Sequence, residues 1–156
     1  RREHCAIADA SADAGAQFFQ TNLIFDVEGM ERWLNELAKR DVLNKVYILA
    51  GVTPIKSLKM AQKLAEVPGV YLPQNILQRM EVADKAGNAQ EEGIQIALEI
   101  IDKIRKYDQQ GIHGIHLMPV GWDEVIPRIV VESELAPKHF LFDRTEQEWE
   151  HAYQVE

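Results

Sequence analysis

Between Gly15 and Asp26 the chain reads Gly-Ala-Gln-Phe-Phe-Gln-Thr-Asn-Leu-Ile-Phe-Asp. Aromatic and β-branched residues fill a stretch of strand length, closed at one end by glycine and at the other by aspartate. A strand apolar along most of its length belongs in a parallel sheet covered on both faces. This stretch therefore asks for further strands beside it and helices across it. Polar residues sit inside it: Gln20, Thr21 and Asn22. Buried polar groups need partners. Gln20 and Asn22 are two apart and share a face. They point toward a ligand, or they bond neighbouring strands or ordered water.

The rest of the chain supplies the expected neighbours. Residues 2 to 14 are rich in alanine and read as a helix, with Gly15 as its C-terminal cap. Asp26 caps a second helix, where Met30, Trp33, Leu34 and Leu37 recur at helical spacing. Val46 to Val52 is a second apolar strand, ended by Gly51 and Pro54. Ser57 opens a third helix with Leu58, Ala61, Leu64 and Ala65 on one face, and Pro68-Gly69 closes it. Pro73 to Lys85 reads as a short helix with Ile76, Leu77 and Met80 inward, and residues 90 to 107 as a long one carrying Ile94, Ala97, Leu98, Ile101 and Ile104. Ile112 to Met118 is the third strand. Trp122, Val125, Ile126, Ile129 and Val130 mark a last helix, with Pro127 inside it as a source of a kink. Residues 137–156 read as a tail or short docking helix. Strands separated by helices define an α/β chain with a parallel sheet. Three such strands leave two open edges, so the isolated chain is expected to self-associate or to be of low stability.

Composition narrows the function. The 156 residues suffice for one domain with a core. A net charge of −8 argues against a nucleic-acid surface, which needs clustered Lys and Arg. The one cysteine, Cys5, cannot form an internal disulfide and reads as an inert thiol. No apolar run approaches the roughly 18 residues of a membrane span, and Arg-Arg-Glu-His-Cys-Ala at the start lacks a signal peptide's apolar core. The expected location is cytoplasmic, away from any membrane. No Gly-rich phosphate loop, metal-ligand spacing or Ser/His/Asp arrangement is legible. His113 and His116, three apart on one strand, are expected on opposite faces and not on one metal ion. In α/β folds ligands gather where strands finish. Those places are 21–26, 50–57 and 117–122. Asp26 needs no role there beyond capping.

Residues 13–28 resemble a strand of the methylenetetrahydrofolate reductase family, which commonly reads Asp-Ala-Gly-Ala, apolar residues, Thr-Gln, then Phe-Phe-Asp. Ile-Leu-Ala-Gly-Val-Thr-Pro-Ile (48–55) resembles the family's Pro-Gly-Ile-x-Pro strand end, and Gly-Ile-His-Gly-Ile-His-Leu-Met (111–118) its final strand. The three matches are collinear and cover residues 9 to 135. The resemblance implies a TIM-barrel-like (β/α)8 fold that binds FAD. It implies an oxidoreductase of one-carbon and methionine metabolism, reducing 5,10-methylenetetrahydrofolate to 5-methyltetrahydrofolate. A whole barrel takes about 250 residues. By this alignment residues 1–136 supply only the last three βα units, and the acidic proton donor and most FAD contacts lie elsewhere. The chain alone is then expected to be inactive, and to be completed by further sequence, a complementing chain or a homo-oligomer.

Site residues follow residue by residue from the resemblance. Thr21 and Asn22 fall where the family contacts folate, with Asn22 replacing a glutamine one methylene longer. Ser57 and Leu58 border the same pocket, Leu58 replacing an aromatic lid residue. Met118 and Trp122 stand where the family has Tyr and Arg. Trp122 either stacks on a ring or fits the last helix's apolar face. Ala10 and Ser11 replace basic residues that help hold FAD. No catalytic residue or metal ligand is carried over. These departures leave the electron donor open between NAD(P)H and a redox partner protein. They also leave two other readings: a non-catalytic barrel-derived subunit, and another pterin-binding module such as a methyltransferase.

Overall fold

Three strands, β1 (Phe18–Leu23), β2 (Tyr47–Val52) and β3 (Ile112–Leu117), pair in the order β1-β2-β3, all parallel. The computed structural model describes residues 2–135, so the expected tail or docking helix at 137–156 lies outside the described residues. The helices fall where apolar periodicity places them: α1 (Arg2–Asp13), α2 (Val27–Ala38), α3 (Leu58–Ala65), α4 (Gln74–Lys85), α5 (Ala89–Arg105) and α6 (Ile126–Glu132).

Local chemistry sets the boundaries. At the end of α1, Gly15 takes φ +97°, and the following N–H of Ala16 reaches back to the Ser11 carbonyl at 3.0 Å. Only glycine adopts that backbone region without strain. Asp26 caps α2 by accepting the Gly29 N–H at 2.8 Å. Pro127 departs from the expected kink. A 3-10 turn at Asp123–Val125 comes first, and Pro127 falls in the opening turn of α6. There its missing N–H would have had no intrahelical partner, so the helix stays intact.

One face of the sheet carries the core. Ile48, Ala50 and Val52 of β2 are buried to the last per cent, and α5 lies against β2 and β3. Leu37, Ile101, Ile104 and Ile129 are fully buried in the same cluster, and Cys5 joins it as a small apolar residue. Burying each large aliphatic chain contributes about 1.5–3 kcal/mol of gross transfer energy. Arg79 ties α4 to α5 by gripping Glu92 at 2.6 Å and both oxygens of Glu99 at 2.7 and 2.8 Å. Those bonds hold the Glu99 carboxyl below its ordinary range.

The other face differs from expectation. Along β1 the residues alternate, with Phe18, Gln20 and Asn22 exposed and Phe19, Thr21 and Leu23 half-buried. Phe18 is 57% exposed and Tyr47, beside it on β2, 62%. Among the described residues no layer covers this side, and period-2 alternation then sorts the strand. The histidines also depart from the simple count. An irregularity between Ile48 and Leu49 inserts one extra residue in β3. It sets His113 against the Tyr47 ring, centroids 4.8 Å apart, and His116 opposite Gly51. Tyr47 and Gly51 are four apart on one strand, so both histidines belong to the uncovered face. Among the described residues no group of three or more His, Cys, Asp or Glu could hold a metal ion.

Candidate functional site

The carboxyl ends of the three strands meet around Gly51. A methyl group on this glycine would stand 2.8 and 2.9 Å from the Thr21 and Asn22 carbonyl oxygens and 2.6 Å from Met118 Cε. The absent side chain lets the end of β1 and the residue after β3 close over β2. Strand-ending loops are tied in the same way. Ile24 N–H donates to the Gly51 carbonyl at 2.9 Å, and Met118 N–H to that of Val52 at 2.8 Å. Thr53, Pro54 and Ile55, which follow β2, are buried.

Each residue singled out in the sequence has a defined place here. Thr21 Oγ1 donates to the Asn22 carbonyl at 2.7 Å and accepts the Gly51 N–H at 2.9 Å. Its hydroxyl patches the β1–β2 ladder where the register shifts. Asn22 Oδ1 accepts the Leu23 N–H at 2.8 Å, while Nδ2 donates to the Pro68 carbonyl at 3.4 Å. Asn22 thereby fastens the turn after α3 to the end of β1. Ser57 caps α3, its hydroxyl accepting the Met60 N–H at 3.2 Å, and Leu58 is half-buried behind it. Replacing Ser57 by alanine is expected to cost about 1 kcal/mol, read as a lower urea midpoint at unchanged slope. An unaltered midpoint would show that the cap carries no stability. Trp122 is 8% exposed and belongs to the core, with the Lys56 ammonium 5.8 Å from its ring centre.

An open cavity of about 1100 Å³ runs along the free edge of β1, walled by α1, α2 and residues 68–71. Gln20, Thr21 and Asn22 line it, whereas Ser57, Leu58 and Trp122 do not. The structure thus brings Thr21 and Asn22 together on one wall and places the other three beyond Gly51. Sequence reasoning missed Gly51 as the pivot, treating it as a strand terminator. It named His116 but gave no sign that its buried Nδ1 has no hydrogen-bond partner among the described residues. The Ala-Gly-Val spacing offered no signal for either, because both depend on cross-strand register.

The cavity does not suit the diphosphate of FAD. Such a group needs available cations or backbone N–H donors. Three cations line the cavity, and each meets a carboxylate: Arg32 with Asp26 at 3.4 Å, Lys39 with Glu36 at 2.6 Å, and Arg40 with Asp9 at 3.7 Å. Ser11 on the same wall is neutral, as is Ala10 beside it.

A parallel α/β sheet whose strand ends gather hydrogen-bonding loops is the architecture of proteins that bind small molecules beyond the carboxyl ends of their strands. Comparison with known proteins names the family within that class. The methylenetetrahydrofolate reductase family model matches residues 8–134, and the chain belongs to that family. It is 23% identical over 139 residues to methylenetetrahydrofolate reductase 2 of Schizosaccharomyces pombe, covering 87% of this chain and 22% of that protein. It is 28% identical over 114 residues to 5,10-methylenetetrahydrofolate reductase of Escherichia coli, covering 72% of this chain and 37% of that protein. The chain therefore spans well under half the length of these relatives. Among the described residues no helix is long and apolar enough to cross a membrane.

Proposed function

We propose that this chain forms the folate-binding side of an enzyme that reduces 5,10-methylenetetrahydrofolate to 5-methyltetrahydrofolate, as the closing βα units of a (β/α)8 barrel. The observation that carries this reading is the family match over residues 8–134, which takes in all three parallel strands and their ends. In it, Thr21 and Asn22 meet the pterin from the end of β1. Ser57 and Leu58 border it from the loop after β2, while Trp122, 8% exposed, serves the core instead of stacking on the ring. Asn22 retains one amide N–H and one acceptor lone pair beyond its internal bonds, enough for a single contact. The protein's task here is to orient the substrate and exclude water. FAD belongs to parts of the enzyme beyond the described residues, because each cavity cation meets a carboxylate.

The test is a titration of the natural polypeptide carrying this sequence with 5-methyltetrahydrofolate, followed by tryptophan fluorescence. Saturable binding is expected with Kd between about 1 μM and 1 mM, the usual range for metabolic substrates. A flat response would sink the reading. The neutral Ala10 and Ser11 and the paired cations favour one second reading, a barrel-derived subunit without catalysis of its own. Flavin absorbance near one equivalent in the purified natural polypeptide would exclude it.

A further inference from the structure

Among the described residues every lysine except Lys56 is exposed. Lys56 is half-buried, in the loop that leads from the carboxyl end of β2 into α3. Its ammonium lies 5.8 Å from the centre of the Trp122 ring and makes no ion pair among the described residues. Asp123 and Glu124 follow Trp122 directly, yet neither pairs with it. The helix arginines differ, since Arg79 and Arg128 each meet two carboxylates. Drawing a charge partly out of water without an opposite charge is unfavourable. The ring face offsets only part of that cost. A methionine stem would cover Trp122 as well, so the cover alone gives no reason for an ammonium.

Both supports of this cation are fixed. The Lys56 N–H donates to Met60 Sδ at 3.4 Å, and Ile55 before it is fully buried. The Trp122 N–H donates to the Pro119 carbonyl at 2.7 Å, and its ring is 8% exposed. The loops after β2 and β3 thus hold one ammonium at the strand ends without neutralising it. A cation held in place before binding loses little freedom when an anion arrives. Lysine presents a compact charge with three donors and lacks arginine's planar fork. It therefore selects for charge more than for shape. A folate carries carboxylates at its glutamyl end, whereas a bare pterin carries none.

We propose that Lys56, seated on Trp122, is a specificity-determining residue of the strand-end site, binding a carboxylate at the glutamyl end of the folate. This rests on the folate-binding reading above. It makes the site favour a folate over a pterin that lacks the glutamyl end. Losing a hydrogen bond to a charged group lowers affinity by about tenfold or more.

The experiment is calorimetric titration of the natural polypeptide and its variants with two probes, thermal midpoints being measured alongside. The probes are 5-methyltetrahydrofolate and 6-methyltetrahydropterin, which has the ring system and no carboxylate. Lys56→Met keeps an apolar stem on Trp122 and breaks no ion pair, so its midpoint is expected to stay in place. It is expected to bind the folate about tenfold more weakly and the pterin as the wild type does. Lys56→Arg keeps the charge and is expected to retain most of the folate affinity. Added salt is expected to weaken folate binding more in the wild type than in Lys56→Met. Wild-type folate affinity in Lys56→Met overturns this inference alone and leaves the folate reading standing. An equal loss for both probes, or an equal loss in Lys56→Arg and Lys56→Met, overturns the assignment to a carboxylate. Absence of folate binding by the wild type overturns the folate reading and this inference with it.

Discussion

Replacing Gly93 by alanine is expected to destabilise the protein by at least about 3 kcal/mol, the upper end of the cost of overpacking. A methyl group there would stand 1.8 Å from the Ile55 carbonyl oxygen and 2.6 Å from its carbon. Neither atom can swing aside. Both are backbone, in a segment where Thr53, Pro54 and Ile55 are all buried. Helix α5 would have to retreat from the end of β2, opening the contacts that Ile96, Ile100 and Ile101 make in the core. Alanine regains about 1 kcal/mol of helix propensity over glycine, too little to compensate. Urea unfolding measures the effect. A midpoint equal to that of the wild type would mean that α5 does not rest on the Ile55 backbone. Because the same segment leads into the Ser57 cap, Gly93 also positions the loop after β2.

Gly51→Ala is expected to cost about 2 kcal/mol by the same mechanism, at the centre of the candidate site. The nearest atom, Met118 Cε at 2.6 Å, ends a flexible side chain and can move. The Thr21 and Asn22 carbonyl oxygens at 2.8 and 2.9 Å cannot. They belong to the irregular end of β1, held there by the Thr21 bond to the Gly51 N–H and the Ile24 bond to the Gly51 carbonyl. A Gly51→Ala, Met118→Ala double variant should therefore recover only a minor part of the loss. Full recovery in a double-mutant cycle would show that methionine, and not the β1 backbone, sets the constraint. Under the folate-binding proposal, displacing the end of β1 is also expected to weaken folate binding, because Thr21 and Asn22 move with it.

Much of the frame was legible along the chain. The order of helices and strands, the parallel sheet, the Asp26 and Ser57 caps and the inward stripes of α2 and α4 follow from apolar spacing and capping chemistry. On α5 the buried stripe is wider than its spacing suggests, since Gly93, Ile96 and Ile100 are buried too. That helix packs on both the sheet and its neighbouring helices. β1 reads as doubly covered because Phe18, Phe19, Leu23, Ile24 and Phe25 run nearly together. Apolarity reports what a residue tolerates, and the layer that covers it comes from elsewhere in space. The paired histidine face was hidden for a related reason, since one extra residue in β3 resets the alternation and leaves no mark in composition.

What the sequence determined by itself are the features set by residues within a few positions of one another: which segments are helix or strand, where each begins and stops, and its place in the methylenetetrahydrofolate reductase family. The tertiary structure alone decided which partners the polar groups near the strand ends take. Thr21, Asn22 and Gln20 look alike in one dimension. The Gly51 N–H, 30 residues away, occupies the first, and the Pro68 carbonyl, 46 residues away, engages the second. Hydrogen bonds are made by neighbours in space, and those neighbours exist only once the chain has folded.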